Sequence, residues 1–208
     1  RRMDDGSGEG RRRSSVSGLA VAAFGDDGHG SSRRRSSIAE GLGSNDFSID
    51  QLVAVDDTAL RAEKLASLHP GTREWFVQGI LVWLRDATAS SLYCLFGGAG
   101  TGKSVIAALV LDRLGVKRIA AHHFCRHDDA ASSTPTAILR SFAAMLVQSV
   151  PGYAAALRNT PSHEIADALA SGSANEIFEC LLQTPLGQVK APAATPMLLV
   201  IDALDELP

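Results

Sequence analysis

Residues 97–104 have the sequence Gly97-Gly98-Ala99-Gly100-Thr101-Gly102-Lys103-Ser104, which fits the phosphate-binding pattern G-x-x-x-x-G-K-[ST]. The apolar run at 91–96 predicts a buried strand before it, and apolar residues at helical spacing predict a helix over 105–114. Glycines in this setting let backbone N–H groups point at phosphate oxygens, while the new helix adds its positive end. These eight residues are therefore predicted to hold the phosphates of a nucleotide. The alternative is a glycine-rich turn that binds nothing.

Two side chains of this stretch have predicted roles of their own. The Lys103 ammonium is expected to reach the β and γ phosphates and to act in catalysis, because a cation there stabilises negative charge. The Ser104 hydroxyl is expected to ligate Mg²⁺.

A second signal lies at the carboxyl end of the chain. The apolar run 197–201 predicts a strand that ends at Asp202, the position from which an aspartate holds Mg²⁺, usually through water. Asp205 and Glu206 supply further carboxylates that can orient or deprotonate a water attacking the γ-phosphate. The two signals together predict Mg²⁺-dependent hydrolysis of a nucleoside triphosphate.

Composition limits the classes of protein to which this site can belong. The chain has 208 residues, 45% of them apolar, which is enough for one sizeable core. A net charge of -3 gives no electrostatic reason to expect nucleic acid, and no apolar run approaches the ~20 residues that span a bilayer. Three scattered cysteines indicate reduced thiols and a cytoplasmic protein: Cys94, Cys125 and Cys180.

The first 45 residues are predicted to be a disordered tail, because Gly, Ser and Arg dominate and few large apolar residues are present. Within this tail Arg11-Arg12-Arg13-Ser14-Ser15-Val16 recurs as Arg33-Arg34-Arg35-Ser36-Ser37-Ile38. Both copies resemble sites of basophilic protein kinases, so Ser15 and Ser37 are candidate phosphorylation sites. The alternative is a solvated Arg/Ser tract with no regulatory role.

The pattern after the tail predicts mainly helices. Residues 46–71 are interpreted as a helical linker, with a helix over 48–68 that a capping box at Ser48 and Gln51 would open. Thr72 is expected to cap the next helix. Further predicted elements are a strand at 117–124, a helix opened by Thr134 and Pro135, helices at 164–170 and 174–183, and a loop at 184–196.

A metal site at His122, His123, Cys125 and His127 was weighed against a structural interpretation. Neighbouring side chains on a strand point to opposite faces, and this spacing is not a standard tetrahedral one. The structural interpretation is therefore preferred.

Three stretches resemble the NACHT family of signal-transducing P-loop ATPases, over about 68–208. They are Asp202-Ala203-Leu204-Asp205-Glu206, Pro70-Gly71-Thr72-Arg73, and Ala121-His122-His123-Phe124-Cys125 followed by Ile138-Leu139-Arg140-Ser141. The resemblance implies an ATP/ADP-controlled switch that self-associates when ATP is bound, with 72–208 as the N-terminal part of the NTPase domain. It also implies an adenine pocket around 70–73, and effector and repeat modules outside this piece.

The same resemblance implies an α/β fold of the P-loop NTPase class, a three-layer parallel sheet with flanking helices. Sheets of this class have the strand order 5-1-4-3-2, and the chain is expected to be truncated after the Walker B strand, which ends at Asp202. A three-stranded parallel remnant is therefore expected. The strands at 91–96 and 197–201 should be separated by a gap or collapsed together.

Three functions remain open at this stage. The first is a regulatory, slow ATPase; the second is a P-loop kinase or another turnover enzyme; the third is a scaffold that binds nucleotide without hydrolysing it. An N-K-x-D guanine-reading motif and an L-S-G-G-Q signature are absent from the sequence, which favours adenine and argues against a transporter ATPase.

Overall fold

The computed structural model describes residues 17–24, 47–115, 117–126, 129, 133–189 and 196–206; for 17–24 and Glu206 it describes the backbone. The strands are β1 (Ser17–Phe24), β2 (Leu92–Gly97), β3 (Ile119–Phe124) and β4 (Met197–Asp202). The helices are α1 (Thr58–Ala66), α2 (Glu74–Arg85), α3 (Lys103–Leu114), α4 (Pro135–Ser149), α5 (Tyr153–Arg158), α6 (Ser162–Ser171), α7 (Ala174–Phe178) and α8 (Thr184–Gln188). The predictions about Ser15, Ser37 and His127 fall outside the described residues.

The four strands form one sheet in the order β2-β1-β4-β3. β3 and β4 are parallel, and β1 is antiparallel to both β2 and β4. β2, β3 and β4 therefore run in one direction, so their carboxyl ends lie at the same edge of the sheet. At that edge Ser17 pairs with Gly97, and Leu19 pairs with Leu95 on one side and with Asp202 on the other.

β1 corrects two predictions made from the sequence. Residues 17–24 were predicted to belong to a disordered tail, and the sheet was predicted to be a parallel remnant with a gap or a collapse between β2 and β4. The average composition of the tail concealed the short apolar run 19–24, which is long enough for a strand. Pairing on both edges satisfies the backbone N–H and C=O groups of β1, which explains how a segment with so few large side chains becomes a central strand.

Helices pack on both faces of the sheet, so β4 is covered on both sides. Leu198 and Val200 point into a cluster with α2 and α3, whereas Met197, Leu199 and Ile201 point into a cluster with α4 to α8. The largest buried side chains of the α2 and α3 cluster include Phe76, Ile80 and Leu109, and those of the other cluster include Phe142, Tyr153 and Leu181. The molecule is therefore a mixed α/β structure.

The start of α4 is confirmed, since the Thr134 hydroxyl accepts a hydrogen bond from the Ala137 N–H at 3.1 Å and Pro135 is the first helical residue. The predicted helix over 48–68 is wrong in its first half. Ser48 caps only a 3₁₀ turn at Ile49–Gln51, and α1 begins at Thr58, where the Asp56 carboxylate accepts the Thr58 N–H at 3.0 Å.

Two other boundaries also differ from the prediction. α2 begins after Arg73 rather than after Thr72, because the Thr72 hydroxyl donates back to the His69 carbonyl at 2.6 Å instead of capping the helix. The helix predicted over 174–183 continues through a wide turn at Glu179–Gln183 into α8, so residues 184–188 of the predicted loop are helical.

Candidate functional site

The glycine-rich loop joins β2 to α3 as the motif predicts. Gly97 is the last residue of β2, Lys103 is the first residue of α3, and the residues between them turn at the edge of the sheet. Gly100 and Gly102 have positive φ angles of 76° and 86°, a backbone region that side chains with a Cβ adopt at a cost. The Gly102 carbonyl accepts the Ile106 N–H at 3.0 Å, which fixes the first turn of α3 directly after the loop.

The Lys103 side chain folds back over this loop. Its ammonium donates to the carbonyls of Gly97 and Gly98 at 2.9 and 2.8 Å, and the residue is 8% exposed. The Thr101 hydroxyl donates to the same Gly98 carbonyl at 2.9 Å. The loop is thus closed around a nearly buried cation whose partners are neutral carbonyls.

Ser104 is half-buried and lies one residue into α3. The loop before it is tight, because a Cβ placed on Gly97 would lie 3.0 Å from the Thr101 hydroxyl oxygen. An alanine at position 97 would therefore displace the threonine. Gly98, Ala99, Gly100 and Thr101 are exposed, so their backbone is open to a ligand.

Asp202 ends β4 and is 3% exposed. Its carbonyl accepts the Cys125 N–H at 3.0 Å, which ties the ends of β3 and β4 together. α3 contacts both β2 and β4, so the helix that carries Lys103 and Ser104 also lies against the strand that carries Asp202. Since one strand separates β2 from β4, the two strand ends are roughly 10 Å apart.

The two remaining predicted residues follow Asp202 in a 3₁₀ turn at Leu204–Glu206. Ala203 has a φ angle of 56°, a conformation that costs a residue with a Cβ about 1–2 kcal/mol. This residue turns the chain sharply, so that the turn at Leu204–Glu206 contacts β1 and Asp205 is exposed. The backbone of Glu206 lies in the same turn.

An ion-paired cluster beside β3 was not predicted. The Asp57 carboxylate accepts from Arg61 Nε at 2.8 Å and lies 3.1 Å from His122 Nε2. Burial alone would raise the pKa of Asp57, but the hydrogen bond and charge of His122 and the charge of Arg61 outweigh it, so the pKa lies below its ordinary value. A histidine in an otherwise apolar strand is the sequence signal that points to such a partner.

His122 and His123, two of the residues considered as metal ligands, lie in different surroundings on β3. His122 turns to Asp57, whereas His123 is buried at 2% exposure. In the part of the chain that the structure describes, no group of three or more His, Cys, Asp and Glu side chains is placed to hold a metal ion.

Arg73 also reaches the loop, whereas the sequence placed it in the expected adenine pocket around 70–73. Its Nη2 donates to the Thr101 carbonyl at 3.4 Å. The sequence signal for it is an arginine directly before α2, the helix that precedes β2 and the loop.

None of the helices described is both long enough and apolar enough to cross a membrane. Comparisons with curated proteins and with solved structures gave no significant match. Residues 71–208 match the profile of the family described as Nephrocystin 3, N-terminal, and this range contains every candidate site residue from Arg73 to Glu206. Because the match covers more than half of the 208 residues, the chain belongs to the nephrocystin 3 N-terminal family.

Proposed function

We propose that this chain is the nucleotide-binding part of a regulatory ATPase of the P-loop class, with a site of the NACHT type. The loop at 97–104 binds the phosphates of ATP or ADP, and hydrolysis resets a signalling state. The proposal includes self-association through this domain in a cytoplasmic protein, and phosphorylation of Ser15 and Ser37 by a basophilic kinase.

The observation that carries the proposal is the state of Lys103. Nearly buried cations are costly unless they are paired, and among the described residues the partners of this one are the carbonyls of Gly97 and Gly98. A phosphate oxygen is a stronger acceptor for an ammonium than a neutral carbonyl, because the hydrogen bond then joins opposite charges. Lys103 therefore exchanges its carbonyls for a phosphate, while the N–H groups of the loop and the start of α3 hold the remaining oxygens.

The side chains nearby fit Mg²⁺. Asp202 supplies a buried carboxylate at the end of β4, and Ser104 supplies a half-buried hydroxyl at the start of α3. Hard oxygen donors of this kind are the ligands Mg²⁺ prefers, and it usually keeps several of its waters. When bound, Mg²⁺ neutralises charge that develops on the phosphates.

The proposal assigns the water that attacks the γ-phosphate to two acidic residues. Asp205 is exposed in the turn that follows Asp202, and Glu206 is the last residue of that turn. One of them orients the water and accepts its proton. Glu206 is assigned this role, with Asp205 as the residue that positions the water.

Measuring binding and turnover separately tests this proposal. Lys103→Ala should abolish detectable ATP and ADP binding in calorimetric titrations, whereas Glu206→Gln should keep binding and slow the release of phosphate at least tenfold. Lys117→Ala is the matched control, because Lys117 is exposed and lies outside the loop. Unchanged turnover in both site variants would overturn the assigned roles. Tight binding with no turnover in the unaltered chain would favour a nucleotide-binding scaffold instead.

A further inference from the structure

Arg73 lies against the glycine-rich loop in an unusual backbone conformation. Its φ angle is 64°, in the left-handed region that residues with a Cβ rarely adopt. The preceding turn holds it there, because the N–H and the hydroxyl of Thr72 both donate to the His69 carbonyl. The Phe76 N–H then donates to the Arg73 carbonyl at 2.9 Å and starts α2. The backbone around Arg73 is thus arranged to send this side chain toward the loop.

The guanidinium lies directly against Gly102. A Cβ placed on Gly102 would come within 2.5 Å of Nη2 and 2.8 Å of Cζ of Arg73. Glycine at position 102 is therefore needed for space as well as for its positive φ angle. Arg73 occupies the position beside the residue that precedes Lys103.

The hydrogen bond that the structure gives the Arg73 guanidinium is a long one. Its hydrogen bond to the Thr101 carbonyl is 3.4 Å long, whereas a typical N–H···O distance is about 2.9–3.0 Å. The acid next to it in sequence, Glu74, instead pairs with Arg113 at 2.8 Å. Among the described side chains, no carboxylate lies within ion-pair distance of Arg73 or of Lys103.

Arg73 and Lys103 therefore both have backbone carbonyls of the loop as partners. A phosphate group bound at the loop would offer both cations a charged, stronger acceptor. A guanidinium presents a planar fork of donors that matches two phosphate oxygens at once. A single carbonyl oxygen does not match this fork.

We propose that Arg73 is a second phosphate-binding residue of the loop, whose guanidinium leaves the Thr101 carbonyl and pairs with a phosphate oxygen of the bound nucleotide. This inference rests on the proposed function and adds a residue to it. It also connects the nucleotide to the start of α2, outside the loop itself.

The test separates the charge of Arg73 from its hydrogen bond to the loop. Calorimetric titration of the full chain with ATP and with inorganic pyrophosphate is done at one fixed salt concentration. Arg73→Ala is expected to lower the affinity for both ligands about tenfold or more, since hydrogen bonds between charged groups are the strong ones. Arg73→Lys keeps the charge and should recover part of the loss, whereas Arg73→Gln keeps a donor for the Thr101 carbonyl and should recover none.

Arg85→Ala is the matched control, because Arg85 is exposed at the far end of α2. Binding by Arg73→Gln as tight as in the unaltered chain would show that the side chain only braces the loop, and would overturn the inference. Binding by Arg73→Ala as tight as in the unaltered chain, with binding lost in Lys103→Ala, would overturn the inference and leave the proposed function standing. If the unaltered chain binds neither ligand, both fall. Should Arg73→Ala fail to fold, the lysine and glutamine variants decide.

Discussion

β1 lies inside the described sheet and is hydrogen-bonded on both edges, whereas its neighbour β2 lies at the rim and pairs with β1 alone. β2 ends in the glycine-rich loop, and β4 ends in Asp202. The two strands that carry the site therefore do not touch each other. β1 joins them and sets their spacing, although it contributes none of the proposed site residues. The lesson is that a strand without site chemistry fixes the geometry on which the site depends.

A proline in the middle of β1 is expected to have the largest effect. Val21 pairs with Tyr93 on β2 and with Val200 on β4, so Val21→Pro removes an N–H from the ladder and distorts the strand between both partners. The free energy of unfolding should fall by about 1–3 kcal/mol for the lost ladder hydrogen bond alone. Chemical denaturation measures this change, and ATP titration of the variant should show weaker binding because β2 and β4 lose their common partner.

The control for this variant is Val53→Pro, since Val53 is 74% exposed in the segment between the first 3₁₀ turn and α1. Its effect on stability should be much smaller. Equal stability of Val21→Pro and the unaltered chain would mean that β1 does not hold β2 and β4 together.

The loop and β1 also differ in how far the sequence predicts them. β2, the loop and the start of α3 form one continuous stretch. Its glycines and the spacing of its apolar residues predict this structure without information from distant parts of the chain. β1 pairs with residues 92–97 and 197–202, and nothing near 17–24 identifies those partners. The sequence did not predict the contact between Arg73 and Gly102 either, because this contact depends on a turn at 69–72 and on a loop some thirty positions later. Sequence patterns therefore predict local structure well, whereas pairings between distant segments require the fold.

A substitution within the loop tests whether a local change affects nucleotide binding more than it affects stability. Gly102→Ala forces alanine into a φ angle of 86° and places its Cβ against the Arg73 guanidinium. The conformational cost alone is about 1–2 kcal/mol. Gly172→Ala is a matched control, because Gly172 has a φ angle of 68° and open space around it. Both variants should lose similar stability, but only Gly102→Ala should weaken ATP binding. Weaker binding in both variants would contradict a local effect.

A smaller effect is expected at Asp57, which joins α1 to β3 through His122. Since the folded pKa of Asp57 lies below that of the unfolded chain, its contribution is fully present above about pH 4 and is lost as the pH falls through the folded value. Asp57→Asn should cost about 1 kcal/mol near pH 5, and this cost should shrink as the pH falls through the folded pKa of Asp57. Urea denaturation at a series of pH values measures the difference.

The exposed Asp167 on α6 provides the control, since Asp167→Asn should change stability little at either pH. A cost for Asp57→Asn that stays constant across this range would show that the carboxylate is not stabilised by its charge. His122 and Arg61 would then contribute packing alone.

The smallest effect is expected on the outer face of β2. Phe96 is 69% exposed, whereas its neighbour Leu95 is half-buried and packs with the α2 and α3 cluster. Phe96→Thr keeps a residue that favours strands and should change the free energy of unfolding by less than about 0.5 kcal/mol. Leu95→Thr should cost about 1 kcal/mol or more, because it removes buried apolar surface. Thermal unfolding of the two variants compares the two faces of one strand. A loss at Phe96 as large as the loss at Leu95 would mean that the face of β2 on which Phe96 lies is also covered in solution.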